Sequence, residues 1–274
     1  MDLYDFPPLY DALRSPDPST LDLIREILEA ELPGGVRSIM DPACGPGNWL
    51  LPFLDRGVRL AGNDLSEAMV GYARQRLEPY GMEVVHGDMR ALRFESGPFD
   101  VGMEVSGSAC MLPEPGDFAK FLNSLETHVR PGGLVLLTIF FRDGFEDAPR
   151  PRLLSEWGPI PVANGGSAWI RYESAAWDEE RARERIRRTV RAEGVPGCPA
   201  ELIDEFDLRI WTPESFRAAL AETRHLELVR WHSLEDGPVA LSDGLRGEQL
   251  AVLRRLPARV SAPAPVAAPA SVTA

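Results

Sequence analysis

The chain has 274 residues, 44% of them apolar, and its 42 acidic residues outnumber 29 basic ones for a formal charge of −13. That length predicts one large domain or two small ones. No run approaches the roughly 18–20 uninterrupted apolar residues of a membrane span, the start Met1-Asp2-Leu3-Tyr4-Asp5 lacks the basic and apolar signature of a secretory leader, and the negative charge repels phosphate backbones, so neither a membrane nor a nucleic-acid partner is expected. Cys44, Cys110 and Cys198 show no CxxC spacing and leave an odd thiol, which fits a reducing cytoplasm. Lys120 is the sole lysine, a composition expected of a GC-rich, bacterial-type genome. His86, His128, His225 and His232 are scattered without ligand spacing, so no metal site is expected.

Taken in order, the segments alternate. Thr20 to Leu32 carries a helical apolar stripe at Leu21, Ile24, Ile27 and Leu28, and Pro33-Gly34-Gly35 stops it. Strands are predicted at Val36–Met40, Val58–Gly62, Glu83–His86, Phe99–Val105 and Leu134–Phe141. The last is a continuous apolar run suited to a central strand buried on both faces. Between them the pattern predicts helices over Gly45–Asp55, over Ser66–Leu77 with Ser66 as N-cap, and over Asp117–Val129, closed by Arg130-Pro131-Gly132-Gly133. Such alternation means βαβ units and a parallel sheet with helices on both faces. Residues 142–211 read instead as an antiparallel insertion; within it, Glu179–Arg191 could equally be a charged helix on composition. Thr212-Pro213 opens another helix, and Leu226–Trp231 and Gln249–Leu253 read as closing strands. The expected organisation is one domain over 1–258, with a core over 36–141, a covering insertion over 142–211, and a disordered Ala/Pro-rich tail over 259–274.

The chemistry concentrates at strand ends. Ile39-Met40-Asp41-Pro42-Ala43-Cys44-Gly45-Pro46-Gly47-Asn48 runs from a strand into a glycine loop, where a ligand can approach the backbone closely. Leu50 occupies the third glycine position of a dinucleotide fingerprint, so that fingerprint fails. No lysine follows, so the phosphate loop fails too. Asp41 would repel a pyrophosphate and suits a ligand bearing a cation or hydroxyls. Asp64, in Gly62-Asn63-Asp64-Leu65-Ser66, lies where an acid grips cis hydroxyls of a ribose. Asp88, in His86-Gly87-Asp88-Met89, can accept from an adenine amino group while Met89 covers the ring.

This ordered set resembles the class I S-adenosylmethionine-dependent methyltransferases, over about residues 36–141. The resemblance implies a seven-stranded Rossmann-like sheet, S-adenosyl-L-methionine as cofactor, and a cofactor site made of Asp41, Ala43, Gly45, Gly47, Asp64, Leu65, Asp88, Met89 and Glu104. Met40 and Pro42 depart from the family pattern, and Pro42 removes one loop N–H. The flanks, Tyr4-Asp5, Leu9-Tyr10-Asp11 and the insertion, look like those of small-molecule, natural-product methyltransferases of the aminodeoxysugar N,N-dimethyltransferase and glycine/sarcosine types. In such enzymes an N-terminal tyrosine segment closes over the cofactor, and inserted strands cover the substrate or pair subunits.

The reading is therefore methyl transfer to a small molecule, foremost an amine. The alternatives are C- or O-methylation of an apolar natural product and a non-catalytic S-adenosylmethionine-binding protein. Candidate base or orienting groups are Tyr10 and Glu104, with His86, Phe140, Glu173 and His232 behind them. The tryptophans Trp157, Trp169, Trp177 and Trp211 could form a small core or a pocket. The arginine run Arg181–Arg191 reads as a solvated face or subunit interface rather than an anion site. Free edges of an inserted sheet make a homodimer plausible.

Overall fold

A computed structural model describes residues 2–257 apart from 115, 143, 145, 164, 235–236 and 240–244; the expected tail over 259–274 lies outside the described residues. A 3-10 turn at Leu3–Asp5 leads into helix α1 (Pro7–Leu13) and then α2 (Pro18–Glu31). Helix α2 starts two residues before the apolar stripe because the Asp17 carboxylate accepts the Thr20 N–H and Pro18 takes the first turn, where a missing N–H costs nothing. Strands β1 (Ser38–Asp41), β2 (Arg59–Asp64), β3 (Glu83–His86), β4 (Phe99–Glu104) and β5 (Val129–Phe141) follow, with α3 (Glu67–Leu77) before β3 and α4 (Asp117–His128) before β5.

Four further strands come next: β6 (Arg152–Pro161), β7 (Ser167–Asp178), β8 (Arg183–Glu193) and β9 (Glu201–Arg209). Helix α5 (Pro213–Ala221) and strands β10 (Leu226–Ser233), β11 (Gly237–Val239) and β12 (Gly247–Arg255) complete the chain. The main sheet runs β11-β10-β12-β5-β4-β1-β2-β3. It is the expected seven-stranded sheet, lengthened at one edge by the three-residue β11. Neighbours from β5 to β3 pair in parallel, and β12 is antiparallel to both β5 and β10.

Alternation along β5 explains its apolar run. Leu134 and Leu136 face a core shared with α2 and α3, whereas Val135, Leu137 and Ile139 face a core shared with α4 and α5. Burial on both faces removes the polar positions a half-exposed strand would show.

One expected element does not form. Gly45–Asp55 is a series of turns followed by a 3-10 segment at Leu51–Arg56, not an α-helix. Gly45 and Gly47 take positive φ, and Pro52 has no N–H to donate within the expected helix.

Strands β6 to β9 form a separate antiparallel sheet in chain order. The ambiguous arginine-rich stretch is strand β8, paired on both sides. Ile186, Arg188, Val190 and Ala192 are buried at every second position while Arg185, Arg187 and Arg191 are exposed. Those outer arginines pair across to Asp207, Glu205 and Glu201 on β9. Period-two burial and cross-strand pairing thus outweigh helix propensity. The sheet's inner face packs on Leu3, Leu9 and Leu13, which seats the N-terminal segment against the insertion.

Candidate active site

Strand β1 pairs with both β2 and β4, so the strand order reverses between β1 and β4, where open α/β sheets bind ligands at carboxyl ends. Asp41 ends β1, Asp64 ends β2 and Glu104 ends β4. The Asp41 carboxylate is only 2% exposed and accepts the Ala43 N–H at 2.9 Å. Burial, then the nearby Glu104 and Asp64 charges, hold it well above the ordinary carboxylate range.

Asp64 accepts the Gly45 N–H at 2.7 Å and the Ser66 N–H at 2.8 Å. Burial raises its pKa, although those two amides work in the opposite sense. Asn63 braces the loop from below by donating to the Pro42 and Gly87 carbonyls, each at 2.9 Å. Beside Asp64 the Leu65 side chain is 71% exposed, an apolar surface just beyond the end of β2.

At the third strand end, Asp88 does not stand free. Its two oxygens accept from Arg90 Nε at 3.0 and 2.9 Å, and Arg90 also reaches Asp117. The Arg90 bonds pull the Asp88 carboxyl below its usual range. Met89 packs partly buried against the α4–α5 core.

Glu104, a candidate base or orienting group, is held by the turn that follows it. Its carboxylate is 1% exposed and accepts N–H groups from Ser106, Ser108 and Ala109 at 3.1, 2.9 and 3.2 Å. A carboxylate held by three backbone donors organises the turn after β4, while burial raises its pKa against the pull of those donors. Tyr10 lies over the glycine loop, with its Cε1 3.5 Å from where a Cβ on Gly45 would be. Burial drives its hydroxyl pKa far upward, which keeps it protonated. Of the other candidates, Phe140 lies beside Gly107 on the wall of the first cavity described next, and the rest scatter. Exposed His86 contacts the Leu65 carbonyl at 3.0 Å, and Glu173 accepts from Arg171 at 2.9 Å. His232 is buried in β10, away from the cavity walls described next.

Two cavities of about 570 and 590 Å³ open beside this edge. Tyr10, Arg14, Ser106, Trp157 and Glu248 line both. The second reaches the glycine loop at Ala43 and Cys44, and the first extends under the insertion to Trp177 and Arg188. Trp157 and Trp177 therefore serve as cavity wall, whereas Trp211 is core against Phe118. Sequence reasoning missed Arg14, Arg188 and Glu248. The one available signal for Arg14 was its place a helical turn beyond Tyr10. Among the described residues no group of three or more His, Cys, Asp or Glu has metal-holding geometry, and no helix is long and apolar enough to cross a membrane.

The profile of the methyltransferase domain family matches residues 39–133. A dTDP-3-amino-3,4,6-trideoxy-alpha-D-glucopyranose N,N-dimethyltransferase of Streptomyces venezuelae is 31% identical over 116 residues, 40% of this chain and 48% of that protein. The chain spans about half the length of the curated relatives it matches. An S-adenosylmethionine-dependent methyltransferase of Clostridium acetobutylicum superposes with a TM-score of 0.69 at 15% identity, covering 90% of this chain and 96% of its own. The sugar N-methyltransferase KedS8 of Streptoalloteichus gives 0.66 at 22% identity, covering 86% and 87%. Residues 39–133 thus match the methyltransferase domain family, and the chain as a whole shares the fold of solved S-adenosylmethionine-dependent methyltransferases.

Proposed function

We propose that the protein transfers a methyl group from S-adenosylmethionine to a small-molecule acceptor, at an amine. The observation that carries this reading is the set of acids at the ends of β1, β2 and β4, Asp41 and Glu104 buried and Asp64 partly so, around a loop whose Gly45 N–H is held by Asp64. Each Asp64 oxygen accepts one bond and keeps a lone pair, so ribose hydroxyls can donate to it. Gly45 and Gly47 leave backbone open for the methionine part, with Asp41 and Ala43 behind it. Leu65 offers apolar surface to a base, and Met89 and Asp88 border the same edge. These donor and acceptor types fit a nucleoside with a cationic chain.

When bound, S-adenosylmethionine supplies an already activated methyl group, so alignment of the acceptor can provide much of the acceleration. We assign Tyr10 to covering the loop and excluding water. Glu104 is assigned to positioning Ser106 and Gly107 beside the reacting centre rather than to proton abstraction. The names of similar proteins, a sugar N-methyltransferase and an N,N-dimethyltransferase, support an amine acceptor. So does the cavity, whose walls mix aromatic rings with Arg14, Arg150, Glu184 and Glu248. A charged wall of that kind favours a polar acceptor over an apolar C- or O-methylation substrate. The net charge of −13 favours small molecules over nucleic acid. The β6 and β9 edges of the second sheet offer a surface for a homodimer.

Calorimetric titration with S-adenosylmethionine and S-adenosylhomocysteine tests the cofactor reading. Wild type should bind both, and Asp64→Ala should weaken binding by roughly a hundredfold or more, since two charge-assisted bonds are lost. Equal affinity in the two proteins overturns it. Binding without methyl transfer to any of a panel of amines would favour a non-catalytic cofactor binder.

A further inference from the structure

Arg76, in the last turn of α3, is tied to two other segments at once. Its Nη1 donates to the Pro46 carbonyl at 3.0 Å and to Asn48 Oδ1 at 3.1 Å, both in the glycine loop. The same nitrogen lies 3.1 Å from Asp11 Oδ1 on α1. Tyr72, one turn back along α3, donates its hydroxyl to the other Asp11 oxygen at 3.2 Å, and its ring centre lies 5.3 Å from the Arg76 guanidinium. Asn48 is buried and closes the circuit, its Nδ2 donating to the Asp11 and Arg14 carbonyls at 3.4 and 3.3 Å. Both N–H groups and the oxygen of the Asn48 amide are thus committed to joining α1, the loop and α3.

This clasp grips the residue next to Tyr10, whose ring covers Gly45. The other side of the same segment is apolar, since Leu3, Leu9 and Leu13 pack with Ile170 and Val190 of the insertion. Apolar packing is non-directional and does not by itself register the Tyr10 ring over the loop; hydrogen bonds and an ion pair do. The Arg76 and Asp11 side chains are 26% and 23% exposed, and a pair that open to water adds little to folding stability. A partly hydrated tie is also easily broken and remade, which suits a cover that must lift each time cofactor and product exchange.

We propose that Arg76 is a positioning residue for cofactor retention: paired with Asp11 and bonded to Asn48, it holds Tyr10 down on the glycine loop and sets how slowly the cofactor leaves. The identity of the cofactor rests on the S-adenosylmethionine reading above, but the clasp itself does not. Arg76 lines neither cavity, so its effect passes through Tyr10, which lines both. A tie that forms once the cover is down slows release and leaves association nearly unchanged.

The test chases tritiated S-adenosylhomocysteine from the full chain with an unlabelled excess. Arg76→Gln and Asp11→Asn should each release it roughly fivefold faster, with association nearly unchanged. Arg76→Lys keeps the charge and should recover part of the wild-type rate. In a Tyr10→Ala background the cover is gone and Arg76→Gln should add nothing, whereas a merely structural role in the loop would add its full effect there. Release at the wild-type rate in Arg76→Gln, or an undiminished effect of that substitution on Tyr10→Ala, overturns the proposal. Asp11→Asn leaves both loop bonds of Arg76 in place and decides the matter should Arg76→Gln fail to fold. Hydrogen exchange of the cofactor-free chain keeps the clasp apart from the cofactor reading. The Leu9, Tyr10 and Arg14 amides, bonded within α1, should exchange severalfold faster in Arg76→Gln. Unchanged exchange overturns the clasp, whereas a wild type that binds no S-adenosylhomocysteine overturns the cofactor reading, and retention with it.

Discussion

Asp64 Oδ2 accepts the Gly45 N–H at 2.7 Å while Oδ1 accepts the Ser66 N–H at 2.8 Å, so one carboxylate ties the glycine loop to the start of α3. Burial raises its pKa, as it does for Asp41 and Glu104. Hydroxyl donors need the ionised form. Cofactor affinity should therefore fall on acidification, beginning at pH values above the ordinary carboxylate range. Calorimetry with S-adenosylhomocysteine from pH 8 to pH 5 measures this, and a flat profile would contradict it. Stability has the opposite sign. A carboxyl whose folded pKa is raised binds more protons folded than unfolded between the ordinary and the raised value. The contribution of these acids to stability falls as pH rises through that window and is constant above it. Asp41→Asn should flatten the profile there. Asp88, with its lowered pKa, acts in the other direction, and its contribution is lost only as pH falls through and below the ordinary range.

Glu104→Gln should damage the turn after β4 without abolishing acid–base chemistry. The glutamine keeps one acceptor oxygen but turns an NH₂ group toward backbone donors that now meet a carboxylate. Leaving a buried N–H unpaired costs about 1–3 kcal/mol, which is the expected loss in urea unfolding. If Glu104 positions rather than abstracts, the activity that remains should keep the pH profile of wild type, where a lost general base would remove a limb.

The parallel strands were legible because each is a short apolar run bounded by glycine, proline or an acid, and β5 announces burial on both faces by its composition. The acids at strand ends were legible from spacing alone. What sequence could not show was competition for those acids. Arg90, two residues beyond Asp88, reads as an ordinary surface cation until the fold sets Asp117 against it. Arg14 was equally silent, since its surroundings come from β6 and β7, more than a hundred residues away. The missing helix after β1 was readable in principle: Pro52 and two positive-φ glycines were on the page, but the apolar spacing of Trp49, Leu50, Phe53 and Leu54 concealed them.

Arg90 and Asp88 yield a prediction with opposed signs. If Asp88 contacts the cofactor's base, Arg90 competes for the same oxygens. Asp88→Ala should then weaken S-adenosylhomocysteine binding by about tenfold, the loss expected for a hydrogen bond to a charged group. Arg90→Gln should leave affinity unchanged or improve it, because Lys120, one turn along α4, still pairs with Asp117 at 2.9 Å and keeps that buried carboxylate partnered. Weaker binding in Arg90→Gln than in Asp88→Ala would mean that the ion pair, not the free carboxylate, shapes the site.

Gly47 and Gly57 separate backbone strain from crowding. Both have positive φ, +84° and +66°. A Cβ on Gly57 would meet nothing within 4 Å, so Gly57→Ala should cost about 1–2 kcal/mol, the penalty of a left-handed conformation for a residue with a Cβ. A Cβ on Gly47 would lie 2.5 Å from Leu77 Cδ1, and Leu77, at the end of α3, is fully buried in the core. Overpacking adds about 1–3 kcal/mol to the same backbone term. Urea unfolding of the two variants should therefore rank Gly47→Ala well below Gly57→Ala. Only Gly47→Ala should also weaken S-adenosylhomocysteine binding, since the displaced loop carries the Gly45 N–H that Asp64 holds. Equal destabilisation by the two substitutions would show that Leu77 yields and that conformation alone accounts for the glycine.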